Sequence, residues 1–488
     1  MIYKIAFDKY TRNLLFISII ACLVVYGFEI FNFSISIDEE FMDNTKSTIA
    51  LGRWGHAFLR YYFLPEPFAP FFTHLIAIAF FSISAVIITM SIETSFKNKI
   101  ALVILFVSYP QFAYQMAFAN QSDTVSISYL LSALSVYAYK SSGFKLLSLS
   151  SACSVVALIF SVSIYQSVIT LPITISMIVI SFLVINKEIN ARQSIVILSK
   201  FVLLCIVSIV IYKLLSVIIE SYTGLSSGSY LSSKSFWLKE PLSITIHRSI
   251  LSTYDYFTGN ALFGLNIYFV TAIATVISIL SIVVCHRDKI ILIAFIIAIT
   301  LSPFVVNAAF GCGMPPRTLT SLGAAFSGSI VICIALTGSD KLGVIFAIVL
   351  SAICASSSSQ LFFSDYMSYQ SDKLLGNRIL SSLYSAYPSF DERKDTVYFY
   401  GKVNPINKWK KRADVFGQSF FSWDGGNNLR IKAFLSANGM ANLKPLSKED
   451  SLKVKGRVGG MPVWPEKGSI KIIDGIYVVK LGGEPGRD

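Results

Sequence analysis

The sequence predicts an α-helical polytopic membrane protein with a small carboxyl-terminal α/β domain. Three observations carry this. Hydrophobic residues make up 54% of the 488 positions and charged residues only 14%, against roughly 25% charged residues in soluble domains. Apolar runs long enough to cross a bilayer recur along the first 360 residues. Beyond them the composition shifts towards Gly, Asn, Pro and Lys, with short strand-like runs.

Eleven apolar runs stand at about 14–33, 69–92, 100–118, 124–139, 146–165, 167–185, 194–219, 262–284, 290–309, 318–337 and 342–360. Lys4, Lys9 and Arg12 precede the first, and no Ala-x-Ala cleavage pattern follows it, so it reads as an uncleaved helix. The positive-inside rule orients the set. With the amino terminus in the cytoplasm, the inner connections carry Lys97/Lys99, Lys140/Lys145, Lys187/Arg192, His286-Arg287-Asp288-Lys289 and Asp340-Lys341, all read as short and basic. An odd number of crossings then places the tail on the outer face.

Two domains follow: a multi-spanning part, 1–360, with an interfacial first outer loop at 34–67, and an outer α/β domain at 361–488. Between residues 44 and 63, Ile49, Trp54, Phe58, Tyr61 and Tyr62 alternate with Lys46, Arg53, His56 and Arg60. This is the pattern of an amphipathic helix lying in the membrane interface. Segment 220–260 suits a second interfacial element or a lid loop. In the tail, strands are expected at Thr396–Tyr400, Ser469–Ile473 and Ile476–Leu481, and helices at about 371–386 and 428–438.

The net charge of +13 is not a nucleic-acid signature in such a chain. From Leu361 onward Lys and Arg number 20 against 13 Asp and Glu, which suits anionic headgroups or an anionic substrate. The seven cysteines lie almost entirely within apolar runs, without a Cys-x-x-Cys pair, and read as packing residues. Walker, dinucleotide-binding, His-Glu-x-x-His and serine-hydrolase signatures are absent, and no large cytoplasmic domain could bind a nucleotide-sugar. A sugar donor would therefore arrive on a lipid at the outer face.

Candidate chemistry concentrates after the first apolar run. Asp38, Glu39, Glu40 and Asp43 fall within six residues, in a chain with only 28 acids. Ionisable groups at a membrane boundary are costly and tend to mark function. These acids offer a general base for a sugar hydroxyl; the alternative is a solvated loop start with helix-capping acids. Arg53 and His56, in Gly52-Arg53-Trp54-Gly55-His56, are candidate substrate or headgroup contacts. Arg317 follows Gly311-Cys312-Gly313-Met314-Pro315-Pro316 at a helix start, where phosphate is attracted, and it also suits a cap or interfacial anchor. Asp123, in Asn120-Gln121-Ser122-Asp123, and the Tyr165-Gln166 pair could bind a sugar, or serve as a cap and an aromatic-belt residue.

The Ile-Asp-Glu-Glu loop after the first helix, the Gly-Arg-Trp a dozen residues on, the Pro-Arg before a late helix and the outer tail resemble the Gtr-type, serotype-converting O-antigen glucosyltransferases. The resemblance implies a GT-C-like enzyme that transfers glucose from an undecaprenyl-phosphate donor to a lipid-linked O-antigen repeat. It places the reaction at the periplasmic face of the bacterial inner membrane. Asp38 and Glu39 match the first-loop acids, Arg53 the arginine of Gly-Arg-Trp, and Arg317 the late arginine facing the donor phosphate. Asp-Glu-Glu departs from the Asp-Asp or Asp-x-Asp pair of the family and leaves the identity of the base open. Metal assistance is left open too: a divalent ion is compatible with such enzymes, and nothing in the sequence supports one. An O-antigen polymerase or ligase, and a lipid-linked sugar flippase, are the competing readings. The first resembles arginine-driven sites in a large late outer loop, and the second calls for charges through the bundle and repeated halves.

Overall fold

The computed structural model describes residues 8–41, 45–225, 235–237, 239–285 and 289–484. Lys4, Asp43 and His286-Arg287-Asp288 lie outside the described residues. The chain forms two compact units: Met1–Phe31 with Asp43–Ser359, and Asn32–Met42 with Gln360–Asp488. The acidic loop thus belongs to the unit that contains the tail.

The first unit begins with α1 (Lys9–Phe31), α2 (Thr45–Ala50), α3 (Trp54–Tyr62), α4 (Pro70–Met90), α5 (Phe96–Ser108), α6 (Gln111–Met116), α7 (Ala119–Ser141) and α8 (Leu149–Ile164). It continues with α9 (Thr170–Ile185), α10 (Ala191–Thr223), α11 (Leu242–Phe257), α12 (Phe269–Cys285), α13 (Lys289–Leu301), α14 (Val305–Phe310) and α15 (Leu322–Thr337). The last long helix, α16 (Asp340–Ala386), has 47 residues. Among the described residues seven helical stretches are long and apolar enough to cross a membrane, and 149–164 and 322–337 are shorter apolar helices.

Two of the eleven apolar runs take a different local form. The run at 100–118 breaks into α5 and α6 at Tyr109-Pro110, where Tyr109 is extended. Proline disfavours a helical conformation in the residue before it and lacks an amide to donate. The run at 124–139 lies within α7, whose serines lower its hydropathy. Ser126 Oγ donates back to the Ser122 carbonyl at 2.7 Å, and Ser132 pairs with Ser161 of α8 at 2.8 Å. Small hydroxylated residues let membrane helices approach closely.

The expected helix at 44–63 is likewise two helices, α2 and α3, separated by a turn at Leu51–Arg53. Gly52 has φ +74 there, which L side chains rarely adopt. Gly55 opens α3 against α8: a Cβ would stand 2.1 Å from Ser163 Oγ.

In the second unit β1 (Val397–Tyr400) runs parallel to β3 (Ile476–Lys480), which pairs antiparallel with β2 (Ile470–Ile473). The order is β1-β3-β2. Asp474 and Gly475, both with positive φ, make the two-residue hairpin turn. Central β3 is buried along its length, and Tyr398, Tyr400, Val454, Val458, Met461, Ile476 and Val478 form its apolar core. The helices are α17 (Asn428–Ala437), capped by the Asn427 side chain, and α18 (Lys448–Lys455). Asn428 clamps β1, accepting from Phe399 N and donating to Phe399 O, both at 2.8 Å.

Two buried carboxylates, two turns apart on α16, hold the 417–420 segment. Asp365 accepts from Gly417 N at 2.9 Å; Asp372 accepts from Ser419 Oγ at 2.6 Å and Phe420 N at 2.7 Å. Asp372→Ala leaves two buried donors unpaired, at a cost of about 1–3 kcal/mol each. Thermal unfolding of the detergent-solubilised full chain should show a lowered Tm for Asp372→Ala and a smaller loss for Asp372→Asn.

Candidate active site: an arginine-held acidic loop and a cationic helix end

The acidic loop leaves α1 at Phe31 and is fixed within the second unit by its serines. Ser34 Oγ donates to Asp365 at 3.3 Å, and Ser36 Oγ bonds the same carboxylate. A tight turn follows: Glu39 N donates to Ser36 O at 3.0 Å, and Ser36 N donates to Glu39 Oε2 at 2.9 Å. That turn throws Asp38 into the left-handed region, φ 81. Such a conformation is uncommon for a residue with a Cβ, although Asp tolerates it better than most.

One guanidinium organises the carboxylates. Arg430, in the first turn of α17, pairs through Nη1 with Glu40, through Nη2 with Asp38 at 2.8 Å and through Nε with Asp424 at 3.0 Å. Its Cζ lies 5.6 Å from the centroid of the Phe41 ring. The three acids are placed differently. Asp38 keeps 45% of its side chain exposed, whereas the Glu40 side chain is fully buried. Glu39 is buried, its carboxylate turned to the loop's own backbone. The second oxygen of Glu40 is buried and has no hydrogen-bond partner among the described residues. Burial pushes the Glu40 carboxyl up to about 7, against the downward pull of Arg430.

In the first unit, the turn before α3 is stitched to two polar side chains. Gln166 Nε2 donates to Leu51 O at 2.7 Å, and Tyr212 Oη donates to Gly52 O at 3.0 Å. The turn presents Arg53, whose Nη1 donates to Gln121 Oε1 at 3.1 Å. Its guanidinium lies over the Tyr165 ring, 4.7 Å from the centroid, and its Nε is buried with no partner among the described residues. Arg317 lies over Phe118 at 4.5 Å. Phe118 and Gln121 stand at the amino end of α7, so two arginines bracket a helix amino terminus, where anions are favoured.

His56 and Asp123 complete this cluster from within the protein. His56 Nδ1 meets Thr124 Oγ1 at 2.8 Å, and that hydroxyl donates to Gln121 O at 2.9 Å. With the hydroxyl proton so used, Nδ1 carries the imidazole proton. Burial, with Arg60 and Arg53 adding to it, holds the His56 pKa well below its usual value, so the ring is neutral. Asp123 is sealed against Arg60, which donates to it at 2.8 Å and to Asn120 O at 2.7 Å. Both side chains are almost wholly buried, at 1% and 0% exposure. Asp123 therefore holds Arg60 and the start of α7 rather than opening to solvent.

Beside Trp54 lies an open apolar groove of about 310 Å³, lined by Trp54, Val156, Ile159, Phe160, Leu215 and Ile219. Trp54 Nε1 donates to Ser216 Oγ at 3.2 Å, so the ring is oriented from α10. Among the described residues no group of three or more His, Cys, Asp or Glu is disposed to hold a metal ion.

The structure therefore groups Asp38, Glu39 and Glu40 in one unit, and Arg53, His56, Asp123, Tyr165, Gln166 and Arg317 in the other. Arg430, Asp424 and Asp365 have no sequence-level signal, because their partners lie hundreds of residues away. Arg60 had one: it sits four residues after His56 on the same helical face.

Seven helical stretches among the described residues, long and apolar enough to cross a bilayer, define the class of a polytopic membrane protein. Its family can be stated: glucosyl transferase GtrII matches residues 27–334, more than half of the chain, and the chain belongs to that family. It is thus a membrane glycosyltransferase. The match takes in every candidate residue from Asp38 to Arg317 and stops short of Arg430. No curated protein and no solved structure matches the chain.

Removing one partner of a buried ion pair leaves an uncompensated charge, which costs about 3–5 kcal/mol. Arg60→Leu should accordingly lower the Tm of the full chain far more than the double variant Arg60→Leu/Asp123→Leu. A second expectation concerns pH. The folded Glu40 carboxyl, raised above its ordinary value of 4.5, favours folding at low pH, and that contribution is lost as pH rises through about 7. Between pH 5 and 8 (roughly the window set by these two values) the wild type should lose more Tm than Glu40→Gln does.

Proposed function

We propose that this chain transfers a glucosyl residue from a polyprenyl-phosphate donor to O-antigen repeat units of lipopolysaccharide. The reaction runs at the periplasmic face of the bacterial inner membrane and modifies serotype. Membership of the glucosyl transferase GtrII family is the observation that carries this reading. The absence of any nucleotide-binding signature in the sequence supports a lipid-borne donor.

The donor's phosphate is assigned to Arg53 and Arg317. Two guanidiniums at a helix amino end suit a phosphate that gains negative charge as the bond to glucose breaks. Arg53 Nε is already desolvated and unpartnered, a donor available to an anion. The open groove beside Trp54, directly after Arg53 in sequence, has the apolar lining that an isoprenoid segment requires. Tyr165, Gln166 and neutral His56 shape the polar surroundings of Arg53.

Asp38 is assigned as the base. It is the reachable carboxylate of the loop, whereas Glu40 is enclosed. Asp38 takes the proton of the acceptor hydroxyl as that oxygen bonds to the anomeric carbon and the carbon–phosphate oxygen bond breaks, the electron pair leaving with the lipid phosphate. Arg430 orients Asp38, and Glu40 shares the guanidinium so that Asp38 is not its sole counterion. Protonation of Glu40 leaves Arg430 bearing more strongly on Asp38, which is then less free to act on the acceptor hydroxyl. Transfer should therefore fall as pH drops through about 7.

The test is transfer by the full chain in nanodiscs, from a radiolabelled polyprenyl-phosphate glucose to a lipid-linked O-antigen acceptor. Loss of a general base typically costs about 10²–10⁴-fold, so Asp38→Asn should lose that much at unchanged Tm. Glu40→Gln should be slower than wild type and flat in pH around 7. Wild-type transfer by Asp38→Asn would remove Asp38 from the mechanism while leaving the reaction intact. A change in O-antigen chain length without a side-branch glucose would instead point to a polymerase.

A further inference from the structure

We infer that the segment Ile406–Arg412 of the tail unit is a docking surface for anionic phospholipid headgroups. Its sequence, Ile406-Asn407-Lys408-Trp409-Lys410-Lys411-Arg412, places four cations in seven residues, and no acid occurs from Thr396 to Ala413. Two large apolar side chains stand out from it: Ile406 is 84% exposed and Trp409 is 52% exposed. Lys408, Lys410 and Arg412 are exposed with them. Such side chains are ordinarily withdrawn from water, and their combination with clustered cations suits a boundary that is apolar on one side and anionic on the other.

The attachment of the segment shows which boundary that is. Asn407 Nδ2 donates to the Ser364 carbonyl of α16 at 2.8 Å. The Trp409 ring stands edge-on to Phe363, with centroids 5.0 Å apart. Asn407 also shapes the segment from within, accepting from Trp409 N at 2.9 Å, while Lys410 Nζ donates to Gln418 Oε1 at 2.8 Å. Phe363 and Ser364 are in the first helical turn beyond the apolar run 342–360 of that same helix. With about 1.5 Å of rise per residue, the segment is tied within roughly one turn of the place where the helix leaves hydrocarbon. Tryptophan is enriched at that depth, and lysine and arginine there meet lipid phosphates. A glycan acceptor could stack on Trp409, but it gives no role to Ile406 or to the anchorage at the end of a span.

Hydrogen–deuterium exchange of the full chain in nanodiscs tests this, with no dependence on the transfer reaction. In phosphatidylglycerol nanodiscs the amides of 402–413 should exchange at least about tenfold more slowly than in phosphatidylcholine, as expected for cations held at an anionic surface. Lys408→Glu/Lys410→Glu should abolish the difference while leaving protection of β1 and β3 unchanged. Trp409→Ala should reduce it in part. Equal exchange in the two lipids would overturn the inference. So would protection induced by soluble O-polysaccharide in phosphatidylcholine but not by the anionic lipid, which would make the segment a glycan surface.

Discussion

The Arg430 guanidinium is the group on which the arrangement of the acidic loop depends. It is only 16% exposed, and each of its three faces of N–H donors meets a carboxylate. Three acids around one cation carry a net negative charge, and that imbalance explains their unequal placement. The most deeply buried acid, Glu40, is the one whose ionised form costs most, and its carboxyl rises to about 7. Asp38 keeps its contact with water. A lysine could not replace Arg430, because a single ammonium lacks the planar fork that meets separate carboxylates at fixed angles.

A comparable economy of charge governs the first unit. Arg60 and Asp123 neutralise one another in a nearly water-free setting, with further bonds to Asn120 O and Pro65 O. That pair fixes α3 against the start of α7. Arg53, seven residues before Arg60 and two helical turns away, donates among the described residues to Gln121 and lies over an aromatic ring. One arginine is thereby committed to structure, while the other keeps part of its donor capacity. The histidine between them is held neutral by burial and by the same two cations, so it adds no further positive charge to a helix end already flanked by arginines.

The legible parts of the fold are those whose cause is local. The three tail strands are read within a residue or two, because Val, Ile and Tyr alternate in short runs bounded by Gly, Asp and Thr. Helix 428–437 announces itself by the Asn-Asn pair ahead of it, one of which is its cap. The break at Leu51–Arg53 was hidden, since Gly52 fits an amphipathic helix pattern and reveals its turn only through contacts with Gln166 and Tyr212. The membrane runs show the complementary difficulty. Hydropathy finds apolar stretches, yet it is blind to Pro110 splitting one of them and to serines satisfying their own backbone in α7.

The site follows the same division. A dense acidic cluster after the first apolar helix is visible in any reading of the sequence, and so is a lone arginine after two prolines. The identity of the group that holds those acids is not, because Arg430 lies 392 positions from Asp38 and nothing in its neighbourhood differs from an ordinary solvent-exposed helix start. The chain resolves this through α16, which carries Asp365 beyond the apolar run. That one carboxylate receives Ser34 and Ser36 from the loop and Gly417 from the segment leading to α17. Loop and arginine are thus fastened to the same buried side chain. The pairing of Asp38 with Arg430 is a consequence of that anchorage, and a short stretch of sequence, however charged, does not contain it.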